Sequence, residues 1–310
     1  MMRRSTLPLG IDIGTARTRV ALLELDAGGR PRLVAVAARP TAGDPAHALA
    51  DALAELPTRE RRCVLALGTG DASLRTAAFP PLARRERERA ARFEAARSIG
   101  YPVAAAAIRV VGLDAKHCII GVAKRAALEA RVAAVRRARL RLLGIDDAAL
   151  ALCRAVPGAD AIVDVGDAAT TLVLRDEPIP TVRIFPLGGR AFTEAAAAAL
   201  GIDAATAEER KRTIGLAGAG ERVRDELVEQ LAAAIVEARA AARTELRDVV
   251  LSGNGSRLAG LAQALERAIA IPVRAAALPH EGSPLPSDVV RAASPDWALA
   301  YGLALWSLAA

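Results

Sequence analysis

The chain is short of aromatic residues, lysine and cysteine, and each shortage narrows what it can do. Phe, Trp and Tyr together make up 3% of its 310 residues, so its cores must be filled by Ala, Leu, Val and Ile. The same shortage argues against a single-strand nucleic-acid binder, which stacks bases on aromatic rings, even though the net charge is +7 and the pI about 10.1. Only three of the 42 basic residues are lysine (Lys116, Lys124 and Lys211). The rest are arginine, interleaved with glutamate as on solvated helix faces. Cys63, Cys118 and Cys153 are odd in number, widely spaced and without a CxxC pair. They support neither a disulfide framework nor a zinc site, and suit buried apolar positions in a reducing compartment. His47, His117 and His280 are scattered, so structural roles are expected for them. No apolar run approaches the ~18–20 residues that span a bilayer, and Arg3-Arg4 is followed by strand-like sequence rather than a signal-peptide core. A cytoplasmic protein is expected, reaching a membrane only through a partner.

What the sequence does have is a pair of similar glycine turns about 150 residues apart. The first reads Gly10-Ile11-Asp12-Ile13-Gly14-Thr15-Ala16-Arg17-Thr18 and the second Ile162-Val163-Asp164-Val165-Gly166-Asp167-Ala168-Ala169-Thr170-Thr171. In each, an apolar strand ends in an aspartate, a glycine follows two residues on, and small or hydroxylated residues lead into another apolar strand. Glycine lets backbone N–H groups approach an anion closely. An aspartate at a strand end can hold Mg2+ directly or through water. Two such turns, each opening its own half of the chain, point to a pair of phosphate clamps closing on one nucleotide.

The rest of the sequence repeats this organisation. Strands are expected at 8–13, 18–25, 31–38 and 62–68, with a helix over 45–56. Residues 71–140 read as an inserted α+β subdomain: a strand at 72–78, a charged helix Arg84–Arg97, strands at 104–112 and 117–123, and a second helix over 125–139. A short strand and a helix over 147–155 lead to Pro157-Gly158, the best candidate boundary. The second half offers strands at 161–165, 170–175 and 179–185, helices at 190–200, 204–214 and 221–245, a buried strand at 248–251, a helix over 257–269 and a last helix over 295–308. In that last helix, Ala300, Gly302 and Ala304 permit close packing. Hairpins followed by helices, twice over, predict an α/β protein of two related lobes. The first lobe takes 1–156 and 295–310, and the second 157–294.

These motifs, in this order, resemble the ATPase superfamily that contains actin and the sugar kinases, and within it the PilM- and FtsA-type assembly proteins. The resemblance runs from about residue 7 to 306. It implies two actin-like (ribonuclease H-like) lobes around a nucleotide cleft that binds ATP with Mg2+. Asp12 and Asp164 would hold the metal. N–H groups at Gly14, Thr15 and Ala16 would clamp the phosphates from one lobe, and those at Gly166, Asp167 and Ala168 from the other. Arg19 stands where the family often has a phosphate-binding lysine. Gly188-Gly189 matches the glycine pair that approaches the nucleotide. Ala207-Glu208-Glu209-Arg210-Lys211 matches the A-E-x-x-K helix, whose glutamate would take the ribose hydroxyls and whose lysine would lie against adenine. Leu251-Ser252-Gly253-Asn254-Gly255-Ser256 matches the adenosine loop, with Asn254 in place of a third glycine and suited to a left-handed conformation.

The insert, with its Arg92–Pro102 segment, resembles the subdomain that in PilM-type proteins takes the cytoplasmic N-terminal peptide of a single-span inner-membrane partner of the PilN type. The membrane-binding C-terminal helix of FtsA-type proteins is not expected, because the sequence stops at Leu308-Ala309-Ala310. No water-positioning residue stands out beyond Asp147, which precedes the connecting helix. The resemblance thus implies a nucleotide-dependent assembly factor of type IV pilus biogenesis, at most a slow ATPase, with self-association left open. An FtsA-like division or cytoskeletal scaffold, a small-molecule kinase of the same fold and a nucleotide-free scaffold are the alternatives.

Overall fold

The computed structural model describes residues 5–41, 43–241, 246–278 and 295–308. The first sheet is built from β1 (Leu9–Ile13), β2 (Arg17–Leu25), β3 (Pro31–Pro40), β4 (Arg62–Leu67) and β8 (Arg141–Asp147), in the order β3-β2-β1-β4-β8. The second uses β9 (Ala161–Val165), β10 (Thr170–Leu174), β11 (Thr181–Phe185), β12 (Val249–Ser252) and β13 (Val273–Ala275), in the order β11-β10-β9-β12-β13. The two orders are equivalent. Each sheet has an antiparallel three-strand meander and two parallel strands on the far side of the strand that ends in aspartate. The expected pair of actin-like lobes is therefore present.

Alternation within the strands explains why both sheet faces are covered. Leu9, Ile11, Val20, Leu22, Cys63 and Leu65 face one way, against α1 (Pro45–Glu55) and α3 (Arg125–Arg137). On the other face lie α4 (Ala148–Ala155) and α9 (Ala298–Ala304). In the second sheet Ala161, Val163, Val165 and Leu172 pack with α5 (Gly189–Leu200), α7 (Glu221–Ala241) and α8 (Leu261–Ile269). Ile162, Val173 and Val250 point the opposite way and join one cluster with Leu7, Leu23, Leu33, α4 and α9. The two lobes thus share a core, and α4 and α9 are the layer between their sheets. Helix α6 (Ala204–Ile214) follows α5 and is capped by the Asp203 carboxylate, which accepts from Ala205 N and Thr206 N.

The insert is a three-stranded sheet, β5 (Ala72–Ala78), β6 (Ala106–Gly112) and β7 (His117–Lys124), in the order β5-β7-β6. It is covered by α2 (Arg84–Ser98) through Ala91 and Ala95.

Several expectations need correction. The helix over 125–139, read as part of the insert, instead places Ala134 and Val135 in the core of the first sheet. The helix expected over 257–269 is broken. Gly260 sits at φ +80°, so a 3-10 turn at Asn254–Arg257 precedes α8. The last helix is a 3-10/α/3-10 sequence rather than one continuous α-helix. Strand β13 was not anticipated. Residues 242–245 of the long helix and most of the proline-bearing stretch 276–287 lie outside the described residues. Among the cysteines, Cys63 and Cys118 are buried and Cys153 half-buried, all of them free. His47 and His117 make exposed pairs with Asp51 and Asp114, and His280 is outside the described residues.

Candidate functional site: a two-hairpin clamp between the lobes

The β1–β2 and β9–β10 hairpins have the same tight turn. Gly14 N donates to Arg17 O at 3.0 Å, and Gly166 N donates to Ala169 O at 3.0 Å. Among the described residues, no backbone oxygen accepts from the N–H groups of Thr15, Ala16, Asp167 or Ala168. Both tips therefore present unused donors, the arrangement an anion needs. The tips face one another, and the Thr15 hydroxyl donates to Asp167 Oδ2 across the lobes at 3.2 Å. That carboxylate also accepts from Arg190 at 2.5 Å.

Behind the tips stand the two strand-end aspartates. In the β1–β2 ladder Asp12 lies opposite Arg19, whose Nη1 is 3.6 Å from Asp12 Oδ2. Burial pushes the Asp12 carboxyl up, Arg19 and Arg131 oppose this, and the like charge of Asp164 adds to the rise. Asp164 is likewise pushed up by burial, partly offset by the Ser252 hydroxyl, which donates to it at 2.6 Å, and by Arg19. Two desolvated, mutually repelling carboxylates form a hard oxygen donor set. This suits Mg2+, which takes one or two carboxylates and completes its shell with water and phosphate oxygen. Among the described residues no group of three or more His, Cys, Asp and Glu forms a protein-only metal cage. Further positive charge gathers nearby. Arg17 is pushed down by burial and by the like charges of Arg212 and Arg19.

The glycine pair braces the second hairpin. Gly189 N donates to Gly166 O at 2.8 Å. A Cβ on Gly188 would lie 2.7 Å from both Gly166 O and Asp167 O, so no side chain fits there without moving backbone. Lys211 Nζ donates to Gly189 O at 2.8 Å, Thr193 Oγ1 at 2.7 Å and Glu208 Oε2 at 2.6 Å. Three acceptors match its three donors, so the ammonium placed against adenine in the sequence reading is fully occupied within the protein. It ties α6 to the first turn of α5. Burial would raise the Glu208 carboxyl, but Lys211 and the Thr193 hydroxyl outweigh that and hold it below its ordinary value.

Gly253 carries the positive φ of the third loop, +79°, and a Cβ there would stand 2.5 Å from Val165 O. Gly255 is as tight, 2.4 Å from Val165 Cγ1. Asn254 is not left-handed. It is exposed and opens the 3-10 turn, because Gly253 has already made the reversal. Asp147 caps α4, accepting from Ala149 N at 2.9 Å and Leu150 N at 3.3 Å. Its carboxylate has a structural task at the start of α4. The structure thus brings the two hairpins together across the lobes and sets the glycine pair and Gly253–Gly255 against the second of them. Ser252, Thr193 and Arg190, which lie within or next to the matched motifs but carry no assigned role there, join the site, and so does Arg131, to which no motif points. Ser252 and Arg190 adjoin motif glycines and were within reach of the sequence, whereas Arg131 is one helix arginine among many.

Two equivalent sheets, paired aspartate hairpins and a layer of helices between them define the actin-like ATPase fold. A family model described as cell division protein FtsA matches residues 161–302. The chain is similar to the structure of a PilM-PilN type IV pilus biogenesis complex, at 27% identity, with 96% of this chain and 97% of that chain covered and a TM-score of 0.83. Ethanolamine utilization protein EutJ from Carboxydothermus hydrogenoformans shares the fold at 18% identity, with 98% and 91% covered and a TM-score of 0.62. So does the activator of the 2-hydroxyisocaproyl-CoA dehydratase from Clostridium difficile, a structure with bound ADPNP, at 13% identity, 99% and 95% covered and a TM-score of 0.50. No curated protein sequence matches the chain. No helix among the described residues is long and apolar enough to cross a membrane.

Proposed function

We infer that this protein is a nucleotide-dependent assembly factor of type IV pilus biogenesis. It binds Mg-ATP between its lobes and holds the cytoplasmic N-terminal peptide of a PilN-type inner-membrane protein, which recruits it from the cytoplasm to the inner face of that membrane. The observation that carries this reading is the similarity to PilM in its PilN complex over 96% of the chain. The unused N–H groups at both hairpin tips and the desolvated Asp12–Asp164 pair support the nucleotide and metal. Partner binding is supported by the exposed apolar side chains that the insert carries, with Phe93 on α2 at 68% exposure and Val111 on β6 at 59%. Gly14–Ala16 and Gly166–Ala168 would take the phosphates, Gly188-Gly189 and Gly253–Gly255 the nucleoside side, and Glu208 the ribose.

The direct test is calorimetric titration of the full chain with a synthetic PilN-type N-terminal peptide, with and without Mg-ATP. A change in peptide affinity of about fivefold or more is expected, with the same factor appearing in ATP affinity when peptide is present, because coupling is reciprocal. Peptide binding indifferent to nucleotide would overturn the dependence. Gly188→Ala is expected to weaken Mg-ATP binding by about tenfold or more, because forcing a Cβ against the hairpin backbone costs about 1–3 kcal/mol, and each 1.4 kcal/mol is about tenfold in affinity. Unchanged affinity would remove the glycine pair from the site.

A second reading has one observation in its favour. The Arg19 guanidinium already stands beside Asp12 and offsets the charge of both aspartates, supplying from within the chain what Mg2+ would supply. A nucleotide-free scaffold follows if Mg-ATP gives no heat in the same titration while the peptide binds.

A further inference from the structure

The chain crosses between the first lobe and the insert twice, and both crossings touch the clamp. On the outward crossing, β4 ends at Leu67 and the turn Gly68–Asp71 leads into β5. In that turn the Thr69 hydroxyl lies 3.2 Å from the Thr171 hydroxyl of the second lobe. Thr171 is the β10 residue paired with Asp164. On the return crossing β7 runs into α3 without a loop. Arg125, the first residue of α3, donates to Ala104 O at 3.3 Å and Ala106 O at 2.8 Å, which fixes this helix end to the far edge of the insert sheet. Arg131 is six residues further, about 9 Å along the axis. It donates through Nη2 to Ile13 O at 2.9 Å, a carbonyl inside the first hairpin and directly after Asp12.

The two crossings are also tied to one another. Lys124 N donates to Asp71 O at 2.8 Å, and Lys124 Nζ to Asp71 Oδ1 at 3.0 Å. The base of the insert is therefore one knot with two feet, one against each half of the clamp. Parting the lobes to admit a nucleotide pulls Thr171 away from Thr69 while Arg131 stays with the first hairpin. The insert cannot keep both contacts and its orientation. Since packed elements respond by switching between discrete arrangements rather than by stretching, the load falls on the knot and on the sheet it carries. The Arg131 Nε is buried and has no hydrogen-bond partner, so this foot has a donor in reserve for an altered arrangement.

We propose that Thr69 and Arg131 are positioning residues that make the orientation of the insert follow the state of the phosphate clamp. Neither is among the groups assigned above to phosphate, metal or nucleoside. Thr69 acts through Thr171, and Arg131 through the backbone of the first hairpin. The inference rests on the nucleotide reading above and deepens it, because it says how the partner-binding subdomain would sense the cleft.

The test is amide hydrogen exchange on the full chain, with and without saturating Mg-ATP, in the parent and in Thr69→Val, Thr69→Ser and Arg131→Met. In the parent, Mg-ATP is expected to change exchange rates in β5, β7 and the start of α3 by about fivefold or more. Thr69→Val keeps its shape and its Mg-ATP affinity within about threefold, but that response is lost. Thr69→Ser, which restores the hydroxyl, restores it. A merely structural threonine would lower overall protection in both nucleotide states without erasing the difference between them. Arg131→Met is expected to lose the response in α3 first. Should Thr69→Val and Arg131→Met bind Mg-ATP and respond as the parent does, the coupling role is overturned alone. Should the parent bind no Mg-ATP at all, the nucleotide reading falls and takes this inference with it.

Discussion

Asp12→Asn is expected to abolish the thermal stabilisation that Mg-ATP confers, while leaving the ligand-free protein at least as stable as the parent. A ligand present at 100 times its Kd stabilises by about 2.7 kcal/mol, which for a chain of this size raises Tm by roughly 5 °C. In the variant the shift should fall below about 1 °C, since the amide cannot supply the anionic oxygen that the metal shell requires. The ligand-free protein should not suffer, because Arg19 still faces the charge of Asp164 when Asp12 is neutral.

The pH dependence follows from the direction of the shifts. Both aspartates are raised above their ordinary value, chiefly by burial, so the folded state holds these protons more tightly than the unfolded chain does. Their favourable contribution is complete below the ordinary carboxyl range near pH 4 and is lost as pH rises through the raised values. At neutral pH the pair therefore destabilises the ligand-free protein, and Asp12→Asn should flatten the decline. Thermal scans from pH 4 to 8, with and without Mg-ATP, read both effects. Retention of most of the Mg-ATP shift by the variant would remove Asp12 from the metal site.

Gly302→Ala is expected to be strongly destabilising. A Cβ at Gly302 would stand 1.9 Å from Ala151 O, and one at Gly10 would stand 1.9 Å from Ala300 O. In both cases the obstacle is backbone, and a neighbouring helix or strand must move bodily. The expected cost exceeds about 4 kcal/mol, outside the usual range for single substitutions and beyond ordinary overpacking. Gly158→Ala is the control. A Cβ there meets nothing within 4 Å, its φ is not positive, and the effect should be neutral or slightly stabilising. Urea unfolding of the two variants separates them. A parent-like midpoint for Gly302→Ala would show that α9 is not wedged between α4 and β1.

Much of this was legible in the sequence because the signals were local. Asp12 and Asp164 end strands whose apolar residues alternate or run continuously, and Gly14 and Gly166 mark the turns. Ala300, Gly302 and Ala304 announced close packing by their size. The missed features depend on which segments meet in space. No local pattern tells that Arg131, among so many arginines, reaches the first hairpin. None tells that the Lys211 ammonium has its three acceptors inside the protein, or that α3 serves the lobe core rather than the insert. The sequence alone leaves two residues, Gly253 and Asn254, able to make the reversal. The crowding of Gly253 against Val165 reserves it for the glycine.

The position of α9 sets an order of events during synthesis. Its partners β1, β2 and α4 leave the ribosome early, yet the helix that covers them is encoded roughly 140 residues after α4. At about 5–20 residues per second the nascent first lobe waits on the order of 10 to 30 s with Ala21, Leu23 and Leu152 uncovered. Through that interval this apolar surface stays open to water, and the first half expressed by itself would never receive its lid.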